Sequence, residues 1–373
     1  MRILFPLLAF YPYQGGGPAL SVYWLAKVLV KNNVIVDVVT SGKGVVDRHM
    51  LDVPIKVDGI NVRYCKCKNP RYSFKIMRYS LVSVSSSDIV QLSSARFLPN
   101  LIIALYARYL GKKIIWSPRG EFSSSFKLQG SRKIHFAIIK TIFGKYASFH
   151  GTCLNEINEI YNIIGRNCKT IQIPNYMELP CKFESDVKHQ FLYIGRISPV
   201  KSLDKLIMAL SKSKFFMDSD YYLNIAGVAV REEEIDYERQ LYKIVDELDM
   251  KNKVFFLGSV VDENKFKMYA SSKFSFLVSE SENFGNVVIE AMSQGTPVVT
   301  SLGTPWQILS ENGVGYHVNN NPSSLSKVID DIIIMPDSDY YELRARVQNF
   351  CKSNFSIDTN IGKWLNYYNS ILA

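Results

Sequence analysis

The sequence predicts an α/β protein built from two Rossmann-like, doubly wound domains, and three observations lead to this fold class. The chain has 373 residues, more than a single hydrophobic core normally accommodates, so two domains are expected. Apolar runs alternate with helical patterns in both halves, as expected of parallel strands joined by crossover helices. Apolar residues make up 47% and charged residues 21%, which is typical of a soluble globular chain and excludes a disordered one.

The first half opens with an apolar run at 2–9, which is predicted to be a buried strand. A signal peptide is the alternative, but the run continues into Tyr11-Pro-Tyr-Gln-Gly-Gly-Gly17 rather than into a cleavage site made of small residues. Arg108 interrupts the most apolar candidate for a membrane span, 101–110, so no spanning helix is expected. The other elements predicted here are helix 18–31, strand 34–40, strand 88–93, helix 97–110 and strand 112–117.

A second series of alternating elements begins at Phe191, after a linker that contains Pro174 and Pro180. We therefore predict a first domain at 1–175, a second domain at 176–350, and a C-terminal segment, 351–373, that packs back on the first domain. The elements predicted in the second series are strands 191–195, 221–226, 253–257, 273–278 and 297–300 and helices 202–213, 233–249, 262–270, 286–294, 339–350 and 357–372.

Positive charge is concentrated in the first domain. Residues 1–175 contain 24 Lys and Arg against 8 Asp and Glu, whereas the remainder contains 20 against 26. The stretch 126–149 interleaves basic and apolar residues, which is typical either of a helix on an anionic membrane surface or of an ordinary domain helix, and the sequence leaves both open. A similar cluster at 69–79 lacks any nucleic-acid-binding module, so no nucleic acid partner is expected.

Metal and cofactor chemistry is not expected. The six cysteines show no zinc-like spacing, and free thiols of this kind fit a reducing cytoplasm. None of the five histidines forms a metal pair or a nucleophile triad, and no Asp-x-Asp follows a predicted strand. Cationic side chains and a helix terminus are therefore expected to do the work of a metal.

The richest segment for chemistry is 279–299, where a strand, a polar turn at Gly285 and a helix beginning near Asn286 follow one another. This geometry aims the backbone N–H groups of 285–288 and the helix dipole at a diphosphate. Glu290 lies one helical turn beyond Asn286, where its carboxylate would accept hydrogen bonds from ribose hydroxyls. Glu282, in the loop before the helix, would reach the hydroxyls of a sugar.

Cations for the diphosphate are expected from the first loop of the second domain, Gly195-Arg-Ile-Ser-Pro-Val-Lys201. The planar guanidinium of Arg196 would donate paired hydrogen bonds to the diphosphate, and Lys201 would supply a mobile positive charge. Both would stabilise the negative charge that grows on a leaving group.

Two loops of the first domain are further candidates. The glycines at 15–17 permit close approach of the backbone to a ligand, although a loop without a ligand fits them too. Trp116-Ser-Pro-Arg-Gly-Glu-Phe122 puts Arg119 at the carboxyl end of a strand, the edge where open α/β sheets bind ligands. The cleft between two such domains is therefore the expected active site.

Together these segments resemble glycosyltransferase family 4, whose members are retaining enzymes with two Rossmann-like domains facing each other across a cleft, the GT-B fold. Glu282 and Glu290 around their Phe-Gly turn look like the family's E-x7-E motif, and the Arg196 to Lys201 loop is similar to its diphosphate motif. Ser117-Pro-Arg-Gly120 and Gly303-Thr-Pro-Trp306 further resemble a bacterial subgroup that builds O-antigen, capsule and other surface polysaccharides. Many relatives carry a histidine at the cleft where this chain has Arg119.

The resemblance implies a metal-independent retaining glycosyltransferase that needs no cofactor beyond a nucleoside-diphosphate sugar as donor substrate. It places Glu282, Arg196, Lys201 and Arg119 at the reacting centre. Its implied acceptor is a lipid-linked oligosaccharide, which puts the enzyme in the cytoplasm at the inner face of a bacterial plasma membrane. A sugar-nucleotide epimerase of the same fold and a nucleotide-sugar-binding protein without catalysis are the alternatives. The residues implied to bind the donor are Gly16, Gly17, Asn283, Phe284, Gly285, Asn286 and Glu290.

Overall fold

The computed structural model describes residues 1–13, 17–123 and 130–373 and divides into two compact units. The first unit comprises Met1–Glu178 together with Phe355–Ala373, and the second comprises Leu179–Asn354. The predicted fold class is confirmed, because each unit is a sheet of parallel strands covered by helices. The change back to the first unit falls at 354 rather than at the predicted 350, because a single helix runs as far as Phe355.

Among its described residues, the first unit contains an eight-stranded sheet in which the β3–β4 pair is antiparallel and the other pairs are parallel. Its elements in chain order are β1 (Arg2–Pro6), α1 (Gly17–Lys31), β2 (Ile35–Ser41), β3 (Pro54–Val57), β4 (Ile60–Cys65), α2 (Phe74–Ser86), β5 (Ile89–Ser93), α3 (Pro99–Tyr109), β6 (Lys113–Ser117), α4 (Ser131–Ile138), β7 (Ser148–Gly151), α5 (Leu154–Ile164) and β8 (Lys169–Gln172).

The second unit contains a six-stranded, all-parallel sheet. Its elements are β9 (Gln190–Ile194), α6 (Leu203–Lys212), α7 (Lys214–Asp218), β10 (Tyr222–Ala226), α8 (Glu232–Glu247), β11 (Val254–Gly258), α9 (Asp262–Ser271), β12 (Phe274–Leu277), α10 (Asn286–Ser293), β13 (Val298–Ser301), α11 (Ile308–Glu311), β14 (Gly315–Val318), α12 (Pro322–Ile333) and α13 (Asp337–Phe355). The last helix of the chain, α14 (Ile357–Leu372), belongs to the first unit.

Two hydrophobic cores cover the two faces of the first sheet. One contains α1 and α14, and the aromatic stripe of α14 lies in it with Trp364 and Tyr368 fully buried. The other contains α2, α3, α4 and α5. The sheet order is β3-β4-β2-β1-β5-β6-β7-β8. Strands β2 to β4 therefore lie on one side of β1, and strands β5 to β8 lie on the other side.

The second sheet has the order β11-β10-β9-β12-β13-β14. Strands β10 and β11 lie on one side of β9 and strands β12 to β14 on the other, so the strand order reverses between β9 and β12. These two strands pair directly, with Phe191 opposite Phe274 and Leu192 opposite Ser275. In doubly wound sheets, ligands bind outside the carboxyl ends of the strands at such a reversal. The loops that follow β9 and β12 are therefore the expected ligand-binding loops of this unit.

The antiparallel β3–β4 hairpin has no counterpart among the elements predicted from the sequence. The strand β3 has only four residues, with alternating exposed and half-buried positions, so its apolar signal is weak. Its turn does carry a signal, because Asp58 and Gly59 both have positive φ, 49° and 80°. Asp-Gly is a preferred pair in two-residue hairpin turns.

The basic stretch 126–149 separates into several elements, and residues 124–129 lie outside the described part of the chain. After them come α4, a π-helical turn at Ile139–Phe143 and the beginning of β7. Phe136, Ile139 and Phe143 are buried in the core of the first unit. These three side chains pack on the sheet, whereas Ile134 of α4 is 65% exposed.

No helix within the described residues is both long enough and apolar enough to cross a membrane.

Candidate active site

The loops after β9 and β12 lie side by side in the second unit and are joined by a backbone hydrogen bond. The N–H of Glu280 donates to the carbonyl of Val200 over 2.8 Å. This contact brings together the two sequence segments that were predicted to bind a diphosphate and a sugar, although about 80 positions separate them.

Lys201 and Glu282 form an ion pair at this junction. Their side chains are only 16% and 18% exposed, so the pair is largely removed from water. The backbone of Glu282 is held from the other side, because its N–H donates to the carbonyl of Gly303 over 2.9 Å. The ion pair therefore lies at the carboxyl end of the sheet, with the backbone of Glu282 held in place.

Glu280, two positions earlier in the same loop, has a different task. Its carboxylate accepts hydrogen bonds from Lys205, from the hydroxyl of Ser202 and from the amide of Asn320. The bond from Lys205 is the main reason why the pKa of Glu280 lies below its ordinary value. Glu280 therefore ties the loop to its neighbours, while Glu282 pairs with the predicted diphosphate-binding lysine.

The turn at Gly285 directs the chain into α10. Gly285 has a φ of +82°, and a Cβ atom there would lie 2.6 Å from the Leu277 side chain. Trp306, from the loop after β13, donates its indole N–H to the carbonyl of Phe284, and the two rings lie 5.1 Å apart. Phe284 is consequently buried, and its side chain supports the loop, which also carries Asn283.

The first turn of α10 corrects one detail of the sequence prediction. The N–H of Val288 donates to the carbonyl of Gly285 over 3.0 Å, so it does not point outward as the prediction for 285–288 required. The helix begins with a tight turn of the i→i+3 kind, which uses this donor internally. Asn286 is the first residue of the helix.

Glu290 is buried and forms an ion pair with Lys265 of α9, with 2.8 Å between Nζ and Oε1. The side chain of Lys265 is only 16% exposed. The sequence analysis did not identify this lysine, and no local pattern identifies it, because the contact depends on how α9 packs against α10.

Arg196 lies in the loop after β9 and contacts Glu234 of α8, with 3.1 Å between Nη1 and Oε1. Burial opposes ionisation of Glu234, but hydrogen bonds from the N–H groups of Val230 and Arg231 and the charge of Arg196 outweigh it, so the pKa of Glu234 is lowered. Glu234 is almost fully buried, whereas the side chain of Arg196 is 45% exposed. A fixed carboxylate thus holds a guanidinium that is still accessible.

In the first unit, Arg119 follows β6 with a φ of +58°, an uncommon conformation for a residue other than glycine. Its guanidinium donates to the side chain of Asn175 over 3.0 Å and to the hydroxyl of Ser93 over 3.4 Å. Burial lowers the pKa of Arg119, and the charge of Glu156 partly offsets that effect.

The neighbouring segment, at the carboxyl end of β5, is fixed by side chains from several elements and was not identified from the sequence. Ser94 has a φ of +74°, and its carbonyl accepts hydrogen bonds from Asn100 and Trp116. Its hydroxyl donates to Glu121 over 2.8 Å. Strained residues held by many contacts are typical of ligand-binding loops.

His150 is a buried neutral group beneath this region. Burial and the charge of Arg119 lower its pKa to about 3. Its Nε2 therefore donates to the carbonyl of Ile173 over 2.8 Å, and its Nδ1 accepts from the hydroxyl of Ser117 over 2.9 Å. This histidine supports the fold and is unsuited to carry a proton in a reaction near neutral pH.

The glycine loop after β1 is described only in part. Gly17 is the first residue of α1, and its carbonyl accepts a hydrogen bond from Ser21 over 2.8 Å. Gly16 lies outside the described residues.

No group of three or more His, Cys, Asp or Glu side chains that could hold a metal ion occurs among residues 1–13, 17–123 and 130–373.

Residues 182–352 match the family model described as Glycosyl transferases group 1. The chain is 25% identical to an uncharacterized glycosyltransferase of Methanocaldococcus jannaschii across 89% of both proteins. It is 28% identical to the O-antigen chain mannosyltransferase RfbU of Salmonella typhimurium over 60% of this chain and 57% of that one. It is 23% identical to a GDP-mannose:cellobiosyl-diphosphopolyprenol alpha-mannosyltransferase of Xanthomonas oryzae over 79% of this chain and 77% of the relative.

Among solved structures, the chain resembles Anabaena HepE, crystallised with UDP and glucose. The TM-score is 0.78 and the identity 19%, over 99% of this chain and all of that one. This likeness is one of fold. Together with the family match, it supports a glycosyltransferase that resembles family 4 and has the GT-B fold.

Proposed function

We propose that this protein is a retaining glycosyltransferase that moves a sugar from a nucleoside-diphosphate sugar to a lipid-linked oligosaccharide. The observation that carries the proposal is the largely buried Lys201–Glu282 pair beside the Gly285 turn, at the carboxyl ends of β9 and β12, where the strand order of the second sheet reverses. A cation, a carboxylate and a helix N-terminus are the groups needed to hold a diphosphate and a sugar together.

Donor binding would exchange the partners of the cations. A diphosphate carries two or more negative charges, and it would draw Lys201 away from Glu282 and engage the accessible face of Arg196. The released Glu282 carboxylate would then accept hydrogen bonds from sugar hydroxyls. Glu290, held by Lys265, would accept them from the ribose.

The same cations would stabilise the leaving group. As the bond between the anomeric carbon and the phosphate oxygen breaks, negative charge accumulates on the diphosphate, and Lys201 and Arg196 are placed to offset it. The acceptor hydroxyl oxygen would form the new bond to the anomeric carbon on the face from which the diphosphate departs, and its proton would pass to the departing phosphate oxygen. This retains the configuration without a covalent enzyme intermediate. We expect no metal requirement and no cofactor, and we expect activity to survive chelation by EDTA.

Residues of the first unit would serve the acceptor and the phosphate side of the donor. We place Arg119 at the reacting centre as a fixed positive charge, and we expect Gly16 and Gly17 to allow close approach of the backbone to the donor phosphates.

The acceptor and the pathway are inferred from the relatives. One of them is named for O-antigen chains and another for a diphosphopolyprenol acceptor. We therefore place the reaction in surface-polysaccharide synthesis, such as O-antigen or capsule, in the cytoplasm at the inner, anionic face of a bacterial plasma membrane. The strongly basic first half of the chain supports this location.

The test is the fate of a labelled sugar. Purified protein is incubated with UDP-glucose or GDP-mannose, labelled in the sugar, and with membranes from source cells that lack the gene. We expect label to enter the butanol-extractable lipid in the anomeric configuration of the donor. Release of a different nucleotide sugar without transfer would identify an epimerase, and binding without any product would identify a non-catalytic protein.

A further inference from the structure

The α2 and α3 helices expose apolar side chains on the outer side of the first unit. We define the α2–α3 face by six of them, with their exposed fractions: Phe74 68%, Val82 69%, Ile102 47%, Leu105 45%, Tyr106 36% and Tyr109 83%.

The spacing of these residues shows that they do not belong to the side that packs on the sheet. Residues 102, 105, 106 and 109 recur at three- and four-residue intervals, as one face of a helix requires. The opposite side of α3 is buried through Ile103, Ala104 and Ala107. The helix is therefore apolar both toward the core and toward solvent, and an outward apolar stripe on a surface helix indicates a partner.

The two helices lie together in one layer. They pack against each other, and both contribute to the same core on one face of the first sheet. Their outward sides consequently face the same direction. Tyr106 and Tyr109 also contact each other, with ring centroids 6.5 Å apart.

Basic residues predominate around this face, and the Asp52 carboxylate that lies against α2 is already paired with Lys75, 2.6 Å from its Nζ. The sequences of α2 and α3 contain no Asp or Glu, and Asp88 is the only acidic residue between 59 and 120, where 11 Lys and Arg occur. Arg78 and Arg108 are exposed, and neither takes part in an ion pair within the described residues. Arg108 instead lies over the ring of Tyr146, at 5.3 Å from its centroid.

We propose that the α2–α3 face is the surface by which this protein docks on an anionic lipid bilayer. The apolar side chains would enter the boundary between headgroups and acyl chains, the tyrosines would sit at the level of the headgroups, and the arginines would pair with lipid phosphates. The inference rests on the proposed function, since an enzyme that modifies a lipid-linked acceptor must reach the bilayer. It assigns the contact to α2 and α3 rather than to 126–149, where Phe136, Ile139 and Phe143 are buried and, among the described residues, Ile134 and Tyr146 are the large apolar side chains left exposed.

Two other occupants fit less well. A second copy of the chain would bring two basic surfaces together, which like-charge repulsion opposes. A nucleic acid would pair with the basic residues but leave Ile102, Leu105 and Val82 without apolar contacts.

The experiment is vesicle flotation of the full-length protein and two double variants. Ile102→Glu/Tyr109→Glu changes the α2–α3 face, and Ile334→Glu/Tyr341→Glu is the matched control in the second unit, where these side chains are 57% and 58% exposed. The vesicles contain phosphatidylcholine alone or with added phosphatidylglycerol. All four substituted side chains are exposed, so both variants should keep the melting temperature of the wild type.

We expect the wild type and the control variant to float with the anionic vesicles and bind the neutral ones more weakly. The α2–α3 variant should lose affinity for anionic vesicles by about tenfold or more, because two anchoring side chains become carboxylates that the membrane repels. Equal flotation of the two variants would overturn the assignment. The assignment would also be overturned if the wild type formed dimers that the α2–α3 variant did not form, which would indicate a second copy of the chain as the partner. It would likewise be overturned if the wild type bound oligouridylate but not vesicles, which would indicate a nucleic acid.

Failure here is distinguishable from failure of the proposed function. Nucleotide-sugar binding to the second unit can be measured separately, as the rise in melting temperature that the ligand causes. This rise should be the same in both variants. A protein that binds the sugar nucleotide but not vesicles would refute only the docking surface.

Discussion

Three glutamates of the second unit, Glu234, Glu282 and Glu290, form ion pairs, Glu234 with two arginines and each of the others with one lysine, and their surroundings give them different roles. Glu234 is buried and accepts two backbone N–H groups, so it is a fixed support for Arg196. Glu282 is shielded by Lys201, a flexible side chain that a diphosphate would attract. Glu290 accepts a hydrogen bond from Lys265 at Oε1, and this bond holds the carboxylate in place.

Lys265 gives the first prediction at the scale of the residue. Lys265→Met removes the cation that holds Glu290, so we expect the affinity for the best-binding nucleotide sugar to fall by about tenfold. If Glu290 receives the ribose, the variant should also discriminate less between that nucleoside diphosphate and its 2′-deoxy analogue. Isothermal titration with both ligands measures the two effects.

The control for Lys265 lies on the same helix. Lys267 is 54% exposed and pairs with Glu263 one turn away, so Lys267→Met should leave both affinities unchanged. Lys265→Arg should restore part of the discrimination. Unchanged discrimination in Lys265→Met would mean that Glu290 does not contact the ribose.

His150 gives a prediction on pH. Its pKa of about 3 in the folded state lies below the ordinary value of 6.5, so the unfolded chain takes up the proton first as the pH falls. Its contribution to stability is complete above about pH 6.5 and is lost progressively toward pH 3, with a limiting slope of about 1.4 kcal/mol per pH unit.

The measurement is the urea-unfolding free energy of the wild type and of His150→Asn between pH 7 and pH 4. Burial also lowers the pKa values of His135 and His317, so both proteins should lose stability in acid. The wild type should lose it more steeply, because only it carries the extra titrating group. Parallel curves would show that His150 titrates normally.

The sequence predicted some of these residues and not others for a physical reason. Glu282, Arg196 and Lys201 lie in loops whose residue pattern is local. The roles of Lys265 and Glu234 depend on tertiary contacts, because each pairs with a residue far away in the sequence, Lys265 with Glu290 of α10 and Glu234 with Arg196 in the loop after β9. Glu234 had one local signal, its place in the first turn of a helix, where it accepts the N–H of Arg231.

At the scale of the element, the loop from Ser279 to Gly285 is shaped by its neighbours on both sides. The loop after β9 holds it at Glu280, and the loop after β13 holds it at Glu282 and Phe284. Such a loop needs no ordering when a ligand arrives, which favours binding.

The Gly285→Ala substitution tests this loop. A side chain at a φ of +82° costs about 1–2 kcal/mol, and the new Cβ would also press on Leu277. Gly313→Ala is the matched control, since its φ is +58° and nothing lies within 4 Å of the added Cβ. Urea unfolding should show a loss of about 1–2 kcal/mol for Gly313→Ala and a larger loss for Gly285→Ala, because only the latter adds the contact with Leu277.

Donor binding should separate the two glycine variants. Because Gly285 directs the chain into α10, its replacement should weaken nucleotide-sugar binding measured by titration calorimetry, whereas Gly313→Ala should bind normally. Equal binding by both would mean that the Gly285 turn has no part in the site.

The elements predicted from the sequence are those with a strong apolar run between turn residues. Strands β9 to β13 agree with the structure to within one or two residues, because each is a short run rich in apolar residues. Elements with weaker signals were not identified, such as the half-exposed β14, four residues long, and the hairpin strand β3.

At the scale of the whole molecule, the chain divides its charge and its chemistry between two units. The first is strongly basic and carries the α2–α3 face and Arg119, and the second carries the paired cations and carboxylates. Composition and the alternation of elements were sufficient to predict two doubly wound sheets. The return of α14 to the first unit depends on the burial of Ile361, Trp364 and Tyr368 there, a tertiary contact that periodicity alone does not specify.

The most direct test of the central claim is titration of UDP-glucose and GDP-mannose into the wild type, Lys201→Ala and Lys205→Ala. Lys205 lies four positions from Lys201 and pairs with Glu280, so its loss removes a comparable charge next to the site. We expect one of the two nucleotide sugars to bind Lys201→Ala at least about tenfold more weakly than the wild type, because a charge-assisted contact to the diphosphate is lost, and to bind Lys205→Ala normally. Equal affinity for Lys201→Ala and the wild type, or no binding to any of the three proteins, would contradict the account.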